Sequence, residues 1–599
     1  MSVNRPSDSS HHQINKVGAF STHLYLFCIS TVAAILALSG CAKTDPKHSS
    51  FNAEEKNARP VAFSDITVQA GLGGFKHENG AFGAKWFPEP MGSGGGFIDY
   101  DGDGWQDILL VAGGTWPGHS DKRVPALYLY RNNGDGTFSQ TTDEAGLSEV
   151  STYGFGITVA DYDNDGDQDF FLTTLYENML FRNDNNIFSE VGKETGVANE
   201  STLSTSALFF DADRDGWLDL YVGNYTDWSP ETDVWCSFEG EKGYCTPELY
   251  DGVPSRFYRN NGDGTFTDMT EKAGFLPAPG KTLGIAEHDF NKDGWPDLAV
   301  ANDLVRNLLY ENNRDGTFSE KGMASGMAFD ETGKARAGMG IDAGIVDGSG
   351  EVSIFIGNFQ NEMIGVYRYM GNGFFMDRAA LSKIGRVSLQ FLTFGLFLFD
   401  VDLEGDLDLL TVNGHIQIEI ESNEHEFEFR QLPQIYLNRG NGIFDLVTPK
   451  EGSVLATPIV GRGAAYADYD RDGDLDILIT ENAGPAHLWR NELSVGSFRE
   501  NQNFLRVGLK GQESNRDGIG SIITIVMGGR KMSQRVRTGS SYLSQSEKIA
   551  TFGLGDVTTV DSLRIEWPSG RIDHFEKLNS NQEISITEGS GRLVRKPSL

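Results

Sequence analysis

Long apolar runs are almost absent from this chain. Only the stretch from Leu24 to Leu38 approaches one, and it falls short of the ~20 apolar residues that a membrane-crossing helix needs. A later run, "FLTFGLFLF" before Asp400, is shorter still and reads as a buried strand. Basic residues are also in short supply: 50 Lys and Arg face 85 Asp and Glu, for a net charge of −35. A nucleic acid would be repelled, which excludes it as the default partner. Cysteine is limited to four in 599 residues, and a chain this long buries a core without disulfides. No 3.6-residue periodicity is sustained through the middle of the chain, so a helical protein is not expected. Catalytic signatures are missing too: H-E-x-x-H, G-x-S-x-G and C-x-x-C do not occur. "GFLPAPGKT" (Gly274–Thr282) holds Phe275 where a phosphate loop needs Gly, and "GMGIDAG" (Gly338–Gly344) is one residue too long for a dinucleotide fingerprint.

The N-terminal run has the length of a secretory h-region and is followed by small residues and Cys41. "LSGC" (Leu38 to Cys41) resembles the lipobox of bacterial lipoproteins, in which the Cys becomes the lipid-bearing first residue. The other reading is an uncleaved anchor helix. Residue 42 is Ala, not the Asp that marks inner-membrane retention, so the expectation is an exported lipoprotein of the outer membrane, on its periplasmic or surface face. Residues 42–60 read as a polar tether. With Cys28 in the signal and Cys41 lipidated, Cys236 and Cys245 remain, in "WCSFEGEKGYC". Export favours a disulfide between them over a two-thiolate metal site, which would lack further His or Cys ligands.

What the chain has instead is one acidic pattern, repeated. "DYDGDGWQD" (Asp99–Asp107) recurs as "DYDNDGDQD" (Asp161–Asp169), "DADRDGWLD" (Asp211–Asp219), "DFNKDGWPD" (Asp289–Asp297), "DVDLEGDLD" (Asp400–Asp408) and "DYDRDGDLD" (Asp468–Asp476). A decayed copy, "IVDGSGEVS" (Ile345–Ser353), keeps Asp347 and Gly350, which makes seven units spaced by 50 to 78 residues. An apolar strand follows each copy, and a hairpin with Asn, Gly or Asp at its turn follows most of them. Units one to six end in a strand carrying Phe138, Phe188, Phe266, Phe318, Phe375 and Phe444; the seventh stops at "LWRNE". A spare copy of the missing strand, "VAFSDITVQAGL", begins at Val61 and can complete the last unit, removing an open sheet edge. The expected fold is all-β: a seven-bladed β-propeller with a small C-terminal β-rich domain.

Three alternating side chains, a turn Gly and a further Asp at position 9 can surround one hard cation with oxygens, and Ca²⁺ with its 6–8 long bonds suits them better than Mg²⁺. The candidate ligands are Asp99, Asp101, Asp103 and Asp107; Asp161, Asp163, Asp165 and Asp169; Asp211, Asp213, Asp215 and Asp219. Three further sets are Asp289, Asn291, Asp293 and Asp297; Asp400, Asp402, Glu404 and Asp408; Asp468, Asp470, Asp472 and Asp476, giving about six calcium sites. An EF-hand is excluded, because position 12 is Leu110, Leu172, Val222, Val300, Thr411 or Ile479, never Glu.

These loops resemble the FG-GAP/VCBS repeat of integrin-α-type propellers. "NRDGIGSIITIVMGGRKMSQRVRTGSSYLSQSEKIATFGLGDVTTVDSLRIEWPSGR" (Asn515–Arg571) resembles the ASPIC/UnbV domain, notably at "FGLG" and "WPSG". Together they have the layout of cartilage-acidic-protein-like proteins, found also in bacteria. The resemblance implies calcium loops that brace blades and do no catalysis. The expected domains are a signal (1–41), the tether (42–60), the propeller (61–500), an ASPIC/UnbV domain (501–590) and a tail (591–599). Charge agrees with that division, since residues 501–599 carry a net +4 against −39 for residues 1–500.

Other residues carry weaker expectations. His77, His288 and His415 stand near strand ends, as face ligands or as ordinary polar loop residues. "RKMSQRVR" (Arg530–Arg537) is the one basic cluster; Arg535 and Arg537 either dock this domain on the acidic propeller, bind an anionic polymer, or line a solvated strand face. The insertion from Tyr225 to Ser255, with Trp228, Trp235 and the Cys pair, is either a ligand-contact loop or a loop stapled for stability. The function expected is a non-enzymatic, calcium-binding, lipid-anchored envelope protein that binds a protein or polysaccharide. The competing expectations are a propeller hydrolase or lyase, whose carboxylate pair the Asp background would hide, and a scaffold subunit of an envelope complex.

Overall fold

A computed structural model describes residues 61–596, apart from 81, 117, 120–123, 199–201, 239, 276–278, 423–426 and 494–501. The signal, Cys41 and the tether lie outside the described residues.

Seven four-stranded antiparallel sheets account for the repeats. The first shows the plan: Gly95–Ile98 pairs with Asp107–Val111, that strand with Leu127–Asn132, and that with Phe138–Gln140. Inner strands such as Gly154–Ala160, Ser204–Phe210 and Thr393–Phe399 are buried along their whole length, because sheets pack on both their faces. Each inner strand packs beside the next, and the seventh, Gly461–Ala467, packs beside the first, so the sheets close into a β-propeller. The chain's beginning completes the ring. Phe63–Asp65 pairs with Ala486–Asn491 as the fourth strand of the seventh sheet, with Phe63 opposite Asn491 and Asp65 opposite Trp489.

The C-terminal domain consists of two four-stranded sheets. Asn503–Lys510 runs parallel to Gln582–Thr587 in one; Ile522–Met527 lies between Arg530–Arg535 and Thr559–Glu566 in the other. Leu505, Val507, Ile523, Ile525, Phe552, Leu563 and Ile584 form its core. Leu593–Arg595, within the stretch expected as a tail, pairs with Gln582–Thr587 and so extends this domain.

This domain sits on the propeller face that carries the acidic loops. Asp161 donates its N–H to Asp517 at 2.9 Å, Arg516 its N–H to Asn164 Oδ1 at 2.8 Å, and Arg506 pairs with Asp468 at 3.1 Å. Its segment 538–548 then enters the ring axis. Ser541 exchanges hydrogen bonds with Ile341, Gln545 with Gly95 and Phe97, and Ile157 donates to the Leu543 carbonyl. Phe209 donates to Thr538 Oγ1, Tyr466 to Ser546 Oγ, and the Tyr542 ring meets Phe394 at 5.0 Å. Three glycines admit this plug: a Cβ at Gly94 would stand 1.6 Å from the Leu543 carbonyl oxygen, one at Gly96 2.3 Å from that of Gln545, and one at Gly463 2.5 Å from Ser544 Oγ.

The opposite face holds the insertion. Within it Cys236 and Cys245 are disulfide-bonded across a short hairpin, Cys236–Phe238 with Glu241–Gly243. The hairpin reaches two other blades' loops. Gln417 Nε2 donates to the Tyr244 carbonyl at 2.7 Å, and the Tyr244 hydroxyl donates to Glu89 Oε2 at 3.0 Å. Trp228 is buried in an aromatic cluster with Trp116, Tyr225 and Tyr250, which is the bracing role; Trp235 stays 62% exposed.

Candidate metal centres

Each acidic loop joins an inner strand to the second strand of its sheet, and the same backbone recurs. The Gly at position 6 takes φ between +84° and +108° in all six loops, a conformation that excludes a Cβ without strain. It donates its N–H to the carboxylate at position 1, at 3.2 Å for Asp99, 2.9 Å for Asp161, 3.1 Å for Asp211, 2.9 Å for Asp289, 2.7 Å for Asp400 and 3.0 Å for Asp468. The Asp at position 9 opens the second strand and accepts two backbone N–H groups. One comes from position 2 of its own loop, as from Tyr100 to Asp107 at 3.1 Å. The other comes from an Asn ending the third strand, as from Asn132 to Asp107 at 2.7 Å.

Five loops gather three carboxylates whose oxygens lie within 4.8 Å of one another: Asp99, Asp101 and Asp107; Asp161, Asp163 and Asp169; Asp211, Asp213 and Asp215; Asp400, Asp402 and Asp408; Asp468, Asp470 and Asp476. Asp103, Asp165, Asp219, Glu404 and Asp472 belong to the same loops outside those triplets. In Asp103, Asp165 and Asp472 one oxygen accepts the N–H at position 7. The Asp289 loop differs. Its Asn291 donates to Glu311 at 3.0 Å, and Asp293 is held by Arg314 at 2.7 and 3.1 Å.

Burial, then mutual repulsion, raises these carboxylates above their ordinary range. Asp99 is pushed up to about 6, Asp211 and Asp470 to about 7, and Asp107, Asp161 and Asp297 to about 8. Asp169, Asp219, Asp400, Asp408, Asp468 and Asp476 go well above it. The buried oxygens Asp213 Oδ1, Asp400 Oδ1 and Asp470 Oδ1 accept no hydrogen bond. Buried, crowded and under-satisfied oxygen donors with no sulfur among them fit a hard, flexible-coordination cation such as Ca²⁺. When bound, such an ion would neutralise the repulsion that otherwise opposes closing the loop.

The fifth unit departs from the expected alignment. Ile345 pairs with Val352, whereas Ile98 pairs with Asp107, so this loop is two residues shorter. Asp347 meets Arg368 at 2.8 Å, so a guanidinium faces the carboxylate that remains.

The isolated histidines assemble no centre. His77 Nδ1 accepts the Ala483 N–H at 3.0 Å and His415 Nδ1 that of Gln417 at 3.0 Å; burial holds the two rings down to about 3 and about 4. His288, also buried and facing Arg535, is held to about 3. The basic cluster is not a solvated face. Arg535 holds Glu287 at 2.9 and 2.5 Å, and Arg537 pairs with the fully buried Asp342.

Family models agree with this geometry. The FG-GAP-like repeat matches residues 99–172, 161–222, 248–300, 289–344 and 425–479, and "ASPIC and UnbV" matches residues 511–593. The chain carries FG-GAP-like repeats and an ASPIC and UnbV domain. Its relatives include cartilage acidic protein 1 of Mus musculus, 23% identical over 84% of this chain and 74% of that protein. The same protein of Homo sapiens is 25% identical over 70% of this chain, which spans only 60% of the human relative's length. Among solved structures, an Agrocybe aegerita lectin specific for non-reducing terminal N-acetylglucosamine aligns with a TM-score of 0.35 at 17% identity, over 65% of this chain and 85% of its own. An exotype rhamnogalacturonan lyase aligns with a TM-score of 0.33 at 11% identity, over 67% and 72%. The FG-GAP-like matches include five of the six acidic loops, all but that of Asp400, and the ASPIC and UnbV domain is the part that covers the loop face.

Proposed function

We propose that this chain is a calcium-braced, lipid-anchored protein of the bacterial envelope that binds a protein or polysaccharide and catalyses no reaction. The observation that carries the reading is the division of labour between the two faces. The loop face and the axis are taken up by the C-terminal domain and its plug, which leaves the insertion face for a partner. There Trp235 is 62%, Leu249 53% and Ile418 56% exposed, and Phe82, 38% exposed, stacks on His119 at 4.4 Å beside Trp86. Exposed aromatic side chains on loops held by a stiff ring are suited to recognition. The six acidic loops supply the stiffness once their charge is neutralised. Lipidation at Cys41 would attach the assembly to the outer membrane.

A binding screen of residues 42–599 against polysaccharides and envelope proteins, run in calcium and in EDTA, tests the reading. A ligand lost on Phe82→Ala/Trp235→Ala while the fold is kept is the expected result. Turnover of a polysaccharide would replace it with the hydrolase or lyase reading, and one stoichiometric co-purifying partner with the scaffold reading. For the anchor, Cys41→Ser should release the protein from the membrane fraction; unchanged fractionation would remove lipidation from the account.

A further inference from the structure

The Asn that ends the third strand does more than offer its N–H to position 9. Its side chain reaches out of its own blade. Asn132 Nδ2 donates to the Tyr469 carbonyl at 2.9 Å, Asn183 to Tyr100 at 2.7 Å and Asn260 to Tyr162 at 2.9 Å. Asn312 donates to Ala212 at 2.8 Å, Asn438 to Val346 at 2.8 Å and Asn491 to Val401 at 3.0 Å. Every acceptor lies in the preceding blade, next to the position 1 carboxylate in five cases and in the shortened fifth loop in the sixth. Each of these Nδ2 groups also donates to the carbonyl at position 8 of its own loop, as from Asn183 to Gln168 at 3.2 Å. All six side chains are buried, at 8% exposure or less.

We infer that these six asparagines are positioning residues that tie each calcium loop to the loop of the blade before it, so that the loops bind calcium as a linked set. The inference rests on the calcium reading of the loops. Ordering one loop fixes the carbonyl at its position 2, because the N–H of that residue is already held by the Asp at position 9. The next blade's Asn closes on that carbonyl with one end and presents its own N–H to the next position 9 Asp with the other. For Asn183 the three partners are Tyr100, Asp169 and Gln168. These bonds are direct, from the side-chain amide to the carbonyl, so the geometry of one loop is an input to its neighbour.

The fifth blade is an internal control. Tyr369 stands opposite Phe375, where Asn132 stands opposite Phe138, so the blade that lost its acidic loop has also lost its Asn. The seam with the fourth blade is bridged by Lys292, which donates to the Gly350 carbonyl at 2.9 Å and pairs with Glu351 at 2.9 Å, near the surface. The linkage therefore runs as an open line from the Asp400 loop through those of Asp468, Asp99, Asp161 and Asp211 to that of Asp289, broken at blade five.

Hydrogen–deuterium exchange of the folded protein across a calcium titration reads each loop separately, through peptides covering 99–107, 161–169 and 400–408. In Asn183→Ala the calcium midpoint of 99–107, which loses one neutral hydrogen bond, should rise by about five-fold, that of 161–169, which also loses the bond to Gln168, by at least as much, and that of 400–408 should stay put. A shift in 161–169 alone, or in neither, overturns the inference. If Asn183→Ala does not fold, Asp101→Asn carries the test: weakening the Asp99 loop should raise the midpoint of 161–169, while Asp402→Asn should leave the Asp289 loop, across the broken seam, unmoved. Independence of 99–107 and 161–169 in that variant overturns the inference as well. Absence of calcium-dependent protection in every loop of the wild-type protein would instead contradict the calcium reading itself.

Discussion

Replacing Arg535 with Met should uncouple the C-terminal domain from the fourth blade. Its guanidinium and the Glu287 carboxylate are 7% and 2% exposed, and they meet at 2.9 and 2.5 Å. Asp289 and Asp297 add to the field that holds the Arg charged. Removing one partner leaves the buried Glu287 carboxyl without its counter-ion, a change that costs about 3–5 kcal/mol where it has been measured. The double substitution Arg535→Met/Glu287→Gln should recover part of that loss, since both charges then leave together. Urea denaturation in saturating calcium, followed by exchange at 530–537, gives both numbers. A loss below about 1 kcal/mol for the single variant, the size of an exposed pair, would refute the docking role and restore a solvated strand face.

Metal-free protein should be more stable near pH 5 than near pH 8. Carboxylates such as Asp99, Asp107 and Asp211 have folded values raised to between about 6 and about 8, so the stability from their protonated forms is fully present below the unfolded value of 3.8 and is lost as pH rises through the folded one. Calcium should flatten that dependence, as thermal melts at the two pH values would show. His487 bridges Asp65 at 3.2 Å and Glu481 at 2.8 Å, and its value is raised to about 9. Its contribution to holding Phe63–Asp65 is thus full below 6.5 and lost as pH rises through 9, so exchange of residues 63–67 should quicken above pH 9 in the wild type and at neutral pH in His487→Ala. Replacing both Cys236 and Cys245 by Ser should loosen the insertion's hairpin by ~2–3 kcal/mol for so short a loop, with proteolysis confined to 228–246 and the blades intact; cleavage spreading into the blades would contradict the local role.

Much of the fold was legible because the repeat carries its geometry in short-range chemistry. A Gly that must take positive φ and an Asp that opens the second strand recur at fixed offsets in the six acidic loops, and a Phe starts the outer strand of units one to six. The N-terminal closure was legible for the same reason, since "VAFSD" duplicates a strand that the seventh unit lacks. Long-range contacts were not legible. The plug is the polar segment 538–548, and its trace in sequence lies elsewhere, in glycines such as 94, 96 and 463 that make room for it. The bridging asparagines were visible as the recurring Asn of "YRN", "FRN" and "YEN", yet a strand-ending Asn also reads as a simple turn residue. Blade five looked like an eroded nine-residue loop, and only strand register shows it two residues shorter. For Trp228 and Arg535 the sequence left bracing or ligand contact, and docking or a solvated face, as open alternatives, because burial by a distant segment has no local signature.

The most direct test is the calcium content of the folded protein. Elemental analysis after dialysis against micromolar free calcium should find five ions per chain for the loops that gather three carboxylates, and a sixth where the Asp289 loop fills as well, and Asp99→Asn/Asp101→Asn should remove at least one of them. A protein that holds no calcium under these conditions and keeps its melting temperature in EDTA would contradict the account.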